Sequence, residues 1–433
     1  MTAGHFAPFV RAAAAAGRLV VQPRMGFADP GRMRAGLLAV RDARATTVGT
    51  VTLDSYTRVN NHAGAARALL QSQDLNGYPI VAHGSVMTAA MLEGLHGPDF
   101  PVQVRHGSAQ PLGIFHALVD SGLDATEGGP VSYCLPYSRV PLRTAIGEWA
   151  ACCELLAEAG RDGGGTHLES FAGCMLGQLA PPGLLVALSI LEGLFFRHHG
   201  IASLSLSFAQ QTHPGQDLDA LRALRHLAGE FLSDVDWHVV AYTFMGLFPQ
   251  TPAGAAAILQ ESVELAVRGG AERLIVKTAA EAFRIPTIEE NVSALERAGH
   301  HAATVRPAAS PEFRPADSPA YREARALVEA VLDLHPEPGE ALARAFAAGL
   351  LDVPYCLHPD NANRARSRVA ADGRLLWADP GRMPLPGVRG GHLEVGSADL
   401  LHMLTYNQRR FDDPSAATEA REPADGAAHA ERN

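Results

Sequence analysis

The chain of 433 residues is 47% hydrophobic and only 19% charged, which suits a large buried core in one big domain or two ordinary ones. Its net charge of −10 speaks against nucleic acid as a partner, because neutralising phosphates takes a basic face. No apolar run reaches 18 residues without a charge, so nothing reads as a membrane span, and five cysteines lacking C-x-x-C spacing read as free thiols of a reducing cytoplasm.

In chain order, short apolar or β-branched runs recur at "RLVVQPRMG" (18–26), "VGTVTLDSYTR" (48–58), "YPIVAHG" (78–84), "PVQVRHG" (101–107) and "DATEGG" (124–129). They continue at "THLES" (166–170), "SLSLSFAQ" (203–210), "DWHVVAYTF" (236–244) and "ERLIVKT" (272–278). Between them lie segments of helical period such as "AGAARALLQSQ" (63–73) and "QDLDALRALRHLAGEFL" (216–232). Strand–helix alternation of this kind calls for parallel strands with crossover helices, in a barrel or an open doubly wound sheet. No G-x-G-x-x-G marks the first turn, and polar residues recur at the run ends: Arg24, Arg58, His83, Arg105, Glu127, Glu169 and Lys277. Strand ends converge in this way on the mouth of an α/β (β/α)8 TIM barrel. Nine candidate strands compete for eight places, so one of them is miscalled or extra.

The barrel is expected over 1–303, followed by a Pro-rich linker over 304–320. A C-terminal extension over 321–410 then packs on the barrel: helices at 321–334 and 339–353, followed by a loop-rich region. The polar, Ala/Glu-rich residues 411–433 read as a disordered tail.

Arg24, Arg58 and Arg105 each stand beside a Gly or Asn turn ("PRMG", "TRVNN", "RHG"). Any one of 35 arginines is an ordinary surface residue; three at equivalent strand ends form a pattern, since guanidinium forks bind carboxylates bidentately. Glu127, in "EGGPVSYCLPYS", then serves to hold an ammonium or take its proton, and Tyr133 and Tyr137 add neutral hydrogen bonds. The ligand this suggests is an amino-dicarboxylic acid. The only lysine of the chain, Lys277, also suits the Schiff-base lysine of a barrel aldolase or lyase.

"QPRMG", "TLDSYTRVN", "LNGYP", "VRHGS", "EGGPVSYCLPY", "VKTAAEAFRIPTIEEN" and "GLLDVPY" together resemble the epsilon (E) subunit of glutamate mutase, also called methylaspartate mutase. The resemblance implies a (β/α)8 barrel catalysing the adenosylcobalamin-dependent radical interconversion of L-glutamate and (2S,3S)-3-methylaspartate. It places Arg24, Arg58 and Arg105 in an arginine claw on the substrate carboxylates, with Glu127 at the amino group and Tyr133 and Tyr137 beside it. Gly26, Asn76, Lys277 and Glu281 match positions near the adenosyl part of the cofactor. The cobalt-binding D-x-H-x-x-G is missing; its nearest match, "DWHVVA" (236–241), ends in Ala, and His238 reads as a strand histidine. The pairs His198–His199 and His300–His301 lack metal-ligand spacing, so no metal site is expected in this chain. In the family the cobalt-binding motif sits on a small sigma subunit, which implies that partner, a homodimer of this chain and a heterotetramer in all. Departures stand at "SFAGCMLGQL" (170–179) and "YTFMG" (242–246), and bear on the cofactor or the partner. The alternatives are the same chemistry on another amino dicarboxylate, or a catalytically silent binder.

Overall fold

Eight short runs form parallel strands: β1 (Val20–Pro23), β2 (Gly49–Thr52), β3 (Val102–Arg105), β4 (Ala125–Gly128), β5 (His167–Ser170), β6 (Ser203–Ala209), β7 (Asp236–Tyr242) and β8 (Arg273–Val276). They pair in the order β1-β8-β7-β6-β5-β4-β3-β2. The ends meet through a parallel bridge between Val21 and Thr47, with the Val21 N–H on the Thr46 carbonyl at 2.9 Å, so the sheet is a nearly closed (β/α)8 barrel. This computed structural model describes residues 4–161, 165–175, 179–306, 313–388 and 395–413.

The extra candidate strand is 78–84. Only Tyr78 pairs, bridging to Leu53 with its N–H on the Thr52 carbonyl at 2.9 Å. Pro79 then removes a ladder donor, and Ile80–Leu92 is helical apart from a break at Gly84. His83 therefore lies on that helix, bonded through Nε2 to the Ala28 carbonyl at 2.8 Å, and not on a strand end.

Helix starts are written locally. Asp29, His213, Thr251, Ser318 and Glu337 each cap a helix whose first residue is proline. The helix Pro182–His198 is apolar nearly all round, with every residue from Pro182 to Phe196 buried. Such a helix needs cover on both sides. The barrel covers one; Pro319–Leu332 and Pro338–Ala348, from the C-terminal region, cover the other.

Of the linker expected at 304–320, Thr304 closes the helix Ile288–Thr304, and Pro319 opens the next helix. Residues 307–312 lie outside the described residues. The loop-rich region contains an antiparallel hairpin, Arg366–Val369 with Leu375–Asp379. Phe411 and Asp412, expected in the tail, finish the helix Tyr406–Asp412, because the Asp412 carboxylate accepts the N–H groups of Gln250 and Thr251 at 2.8 and 2.9 Å. Residues 414–433 lie outside the described residues.

Inside the barrel the filling is layered. The N-terminal helix Phe6–Ala15 closes the bottom with Phe6, Val10 and Ala13 against Val20, Val48 and Ala125. Above it the interior turns polar: Gln22, Gln103, His167, Glu169, Ser205 and Arg273 are all buried. The strand C-terminal ends above this layer form the mouth.

Candidate active site

Each charged residue at the mouth is delivered by the end of a strand. Arg24 follows β1 and donates from Nη1 to Glu281 Oε2 at 3.1 Å. After β2, buried Asp54 accepts the N–H groups of Tyr56 and Thr57 and winds Ser55–Arg58 into one helical turn. That turn brings Arg58 back over the mouth, with its Nε on the Leu53 carbonyl at 2.9 Å. Arg105 ends β3, 4% exposed, and its Nε donates to Glu127 Oε2 at 2.8 Å. Its Nη1 is buried without a hydrogen-bond partner among the described residues.

Glu127, on β4, is 1% exposed. Besides Arg105, it accepts the hydroxyl of Tyr133 on Oε1, and its Oε2 lies 3.0 Å from the Tyr242 hydroxyl oxygen. Burial raises its pKa; Arg105 pulls the other way, and Glu169 adds to the rise. Arg58 is shifted down, chiefly by burial, and feels both Glu127 and Arg24. Tyr133 is buried, whereas Tyr137 is 53% exposed at the rim, its ring 6.1 Å from that of Tyr133.

The two glycines after Glu127 have separate reasons. Gly128 has φ +134°, outside the range L side chains favour. A Cβ on Gly129 would lie 2.1 Å from the carboxylate carbon of Glu192. That carboxylate, buried in the helix Pro182–His198, accepts the N–H groups of Val131 and Ser132 and the hydroxyls of Ser132 and Ser170, at 2.8–3.1 Å. It fastens the loop that carries Tyr133. Burial raises Glu192 to about 7 against these four donors.

Lys277, after β8, is 7% exposed; its Nζ sits 3.8 Å from Glu281 Oε2 and 4.9 Å above the Phe248 ring. Burial lowers it to about 8, with Glu281 opposing and Arg24 assisting. Gly26 is forced by packing, since a Cβ there would stand 2.1 Å from the Thr52 carbonyl oxygen. Asn76, exposed at the rim, accepts the Ser55 N–H at 2.9 Å and so steadies the turn bearing Arg58. Arg24, Arg58, Arg105, Glu127, Tyr133, Tyr137, Lys277 and Glu281 thus share one mouth, with Gly26 and Asn76 shaping the loops around it.

His238 faces the barrel interior, stacked 5.0 Å from His167 and held neutral chiefly by burial. His198, His199 and Glu337 bring one ligand atom each within 4.8 Å of one another. Glu337, however, uses its carboxylate to cap a helix through the N–H groups of Gly339 and Glu340.

Three residues at this site are not picked out by charge at a strand end. Tyr242 looks like an ordinary β7 aromatic until its hydroxyl is seen on both Glu127 and Glu169. His106, next to Arg105, is buried with Nδ1 accepting the Ser108 N–H at 3.2 Å and Nε2 unpartnered among the described residues. Burial, then Arg58 and Arg105, lowers it to about 3, so Nε2 carries an unused proton beside the arginines. Glu192 had a signal: it is a lone acid in the apolar run "LLVALSILEGLFF".

A nearly closed eight-stranded barrel with its charged residues gathered at the strand C-terminal ends defines a (β/α)8 barrel enzyme. The family model "Methylaspartate mutase E chain (MutE)" matches residues 2–390, and the chain belongs to that family; it is a mutase, an isomerase by class. Among relatives, the glutamate mutase epsilon subunit of Yersinia enterocolitica is 32% identical over 352 residues, covering 77% of this chain and 72% of that protein. Those of Desulfitobacterium hafniense and Halobacterium salinarum are 30% and 32% identical, covering 86% of this chain and 79% and 76% of theirs.

Proposed function

We propose that this chain is the catalytic barrel subunit of an adenosylcobalamin-dependent glutamate mutase, interconverting L-glutamate and (2S,3S)-3-methylaspartate by a radical mechanism. The observation that carries the reading is Arg105 Nη1, a buried guanidinium donor with no protein partner among the described residues. A buried unpaired donor is costly, and a substrate carboxylate removes the cost. His106 Nε2 supplies a second unused donor next to it. Arg24 and Arg58 complete the claw for the two carboxylates, while Glu127, with Tyr133 and Tyr137 beside it, receives the amino group.

The residues also suit the cofactor. Lys277 and Glu281 offer a donor and an acceptor of the kind ribose hydroxyls need, with Gly26 and Asn76 at the surrounding loops. Tyr56, Val59, Tyr137, Leu247, Phe283 and Ile285, on loops after β2, β4, β7 and β8, leave an exposed apolar rim. Such a rim fits a face that is covered in the working assembly. When bound, adenosylcobalamin supplies the homolytic chemistry, and this chain binds, orients and shields the substrate from water. The cobalt ligand is expected on a small sigma subunit, in a heterotetramer with two copies of each chain. Five free, buried cysteines support a reducing cytoplasm as the compartment.

The test mixes the purified chain, a small cobalamin-binding subunit, adenosylcobalamin and L-glutamate, and follows the methyl doublet of 3-methylaspartate by proton NMR. A doublet requiring all four components is expected. Glutamate binding without a doublet, with the native small subunit present, points to another amino dicarboxylate or to a silent binder.

A further inference from the structure

Beneath Glu127 the barrel holds a fully buried ion pair, Arg273 with Glu169, both side chains 0% exposed. Arg273 also donates to Gln22 Oε1 at 2.5 Å and to Ser205 Oγ at 3.0 Å. Glu169 Oε2 further accepts Gln103 Nε2 at 3.2 Å and Ser205 Oγ at 3.3 Å. A buried pair of this kind brings little net stability over well-packed apolar residues, so its presence at the barrel axis asks for another reason.

Tyr242 connects it to the mouth. Its hydroxyl oxygen lies 3.0 Å from Glu127 Oε2 and in hydrogen-bond contact with Glu169 Oε1. Two oxygen–oxygen contacts need two protons, and a phenol brings one. The second proton must sit on a carboxyl. Leaving Tyr242 aside, Glu169 has Arg273 against it and accepts Gln103 and Ser205 as well, whereas Glu127 has only Arg105, which also faces the mouth, and the Tyr133 hydroxyl. The ionised member is therefore Glu169.

The structure assigns to Tyr242 the role of a positioning residue for Glu127: the Glu127 carboxyl donates to the Tyr242 oxygen, and the Tyr242 hydroxyl donates to ionised Glu169. The inference rests on the proposed role of Glu127 at the substrate amino group. With the mouth empty Glu127 is neutral, and an arriving ammonium displaces its proton to solvent as the carboxylate forms. The groups facing Glu127 are Arg58 after β2, Arg105 on β3, Tyr133 and Tyr137 after β4, Glu169 on β5, Cys174 in the turn after β5, and Tyr242 on β7. The opposite polarity, Tyr242 donating to an ionised Glu127, makes a contrary forecast for the same variant.

The experiment is an infrared pH titration of the full chain without substrate, read as the difference between wild type and Glu127→Gln. A neutral-carboxyl band at pH 7, present in wild type and lost in Glu127→Gln, is expected. In Tyr242→Phe the neutral form loses its acceptor, so the band should vanish at a pH lower by about one unit. Absence of the band from wild type at pH 7, or a move to higher pH in Tyr242→Phe, overturns the assignment. An unmoved band in folded Tyr242→Phe does so too, and if that variant does not fold, the wild-type comparison alone decides. None of these readings uses glutamate. Failure of the mutase assay with the band behaving as expected thus sinks the proposed reaction and leaves the proton assignment standing.

Discussion

Gly129→Ala should be among the most damaging single-methyl additions in this chain, and the structure says why. The new Cβ would lie 2.1–2.2 Å from the carboxylate carbon and both oxygens of Glu192, whereas ordinary contact begins near 3.4 Å. Either the 127–138 loop or Glu192 must retreat by about 1 Å. Overpacking alone costs about 1–3 kcal/mol, and losing one or two of the four hydrogen bonds to a buried carboxylate adds about 1–3 more. We expect a loss of about 3–5 kcal/mol in urea denaturation. Gly129 does not have positive φ, so the penalty belongs to the contact and not to the backbone. A double-mutant cycle isolates it. In the Glu192→Ala background the methyl group enters vacated space, and Gly129→Ala should cost under about 1 kcal/mol, a coupling of at least about 2 kcal/mol. Effects that add within about 0.5 kcal/mol would refute the reasoning.

Other expectations concern charge. Arg105→Lys keeps the cation but gives up the Nη1 donor and the Nε bond to Glu127; L-glutamate binding by calorimetry should weaken about 10–100-fold, against less than about twofold for the exposed Arg44→Lys. Glu192, at about 7 when folded and about 4.5 otherwise, binds its proton more tightly in the folded chain, so its contribution is present below pH 4.5 and lost as pH rises through 7. Glu192→Gln keeps both backbone N–H groups satisfied while the serine hydroxyls turn to accept, and should flatten stability between pH 5 and pH 8 in denaturant titrations. Lys277, at about 8 when folded and 10.5 otherwise, sheds its proton earlier in the folded chain, so stability should rise with pH between those values. Adenosylcobalamin affinity of the two-subunit complex should fall as pH rises through about 8, where the folded chain loses the ammonium, and Lys277→Met should abolish both trends.

The alternation of short β-branched runs with helical segments called for parallel strands with crossover helices, which suits a barrel or an open doubly wound sheet; the polar residues at the run ends and the missing G-x-G-x-x-G favoured the barrel. Residue type and strand-end position likewise put Arg24, Arg58, Arg105, Glu127 and Lys277 at one mouth, since parallel strands all finish on the same face. Sequence pattern failed at 78–84, where an apolar run reads alike as strand or helix start and only the tertiary placement of Pro79 and the lone Tyr78 bridge decides. It failed also where a role depends on residues far apart in the chain. Glu192 meets the 127–138 loop across about 60 residues, Tyr242 meets Glu127 across 115, and Arg273 meets Glu169 across 104. Those distances collapse only when the barrel closes. Charge compensation of a buried acid is a property of the closed space around it, and no spacing along the chain encodes that.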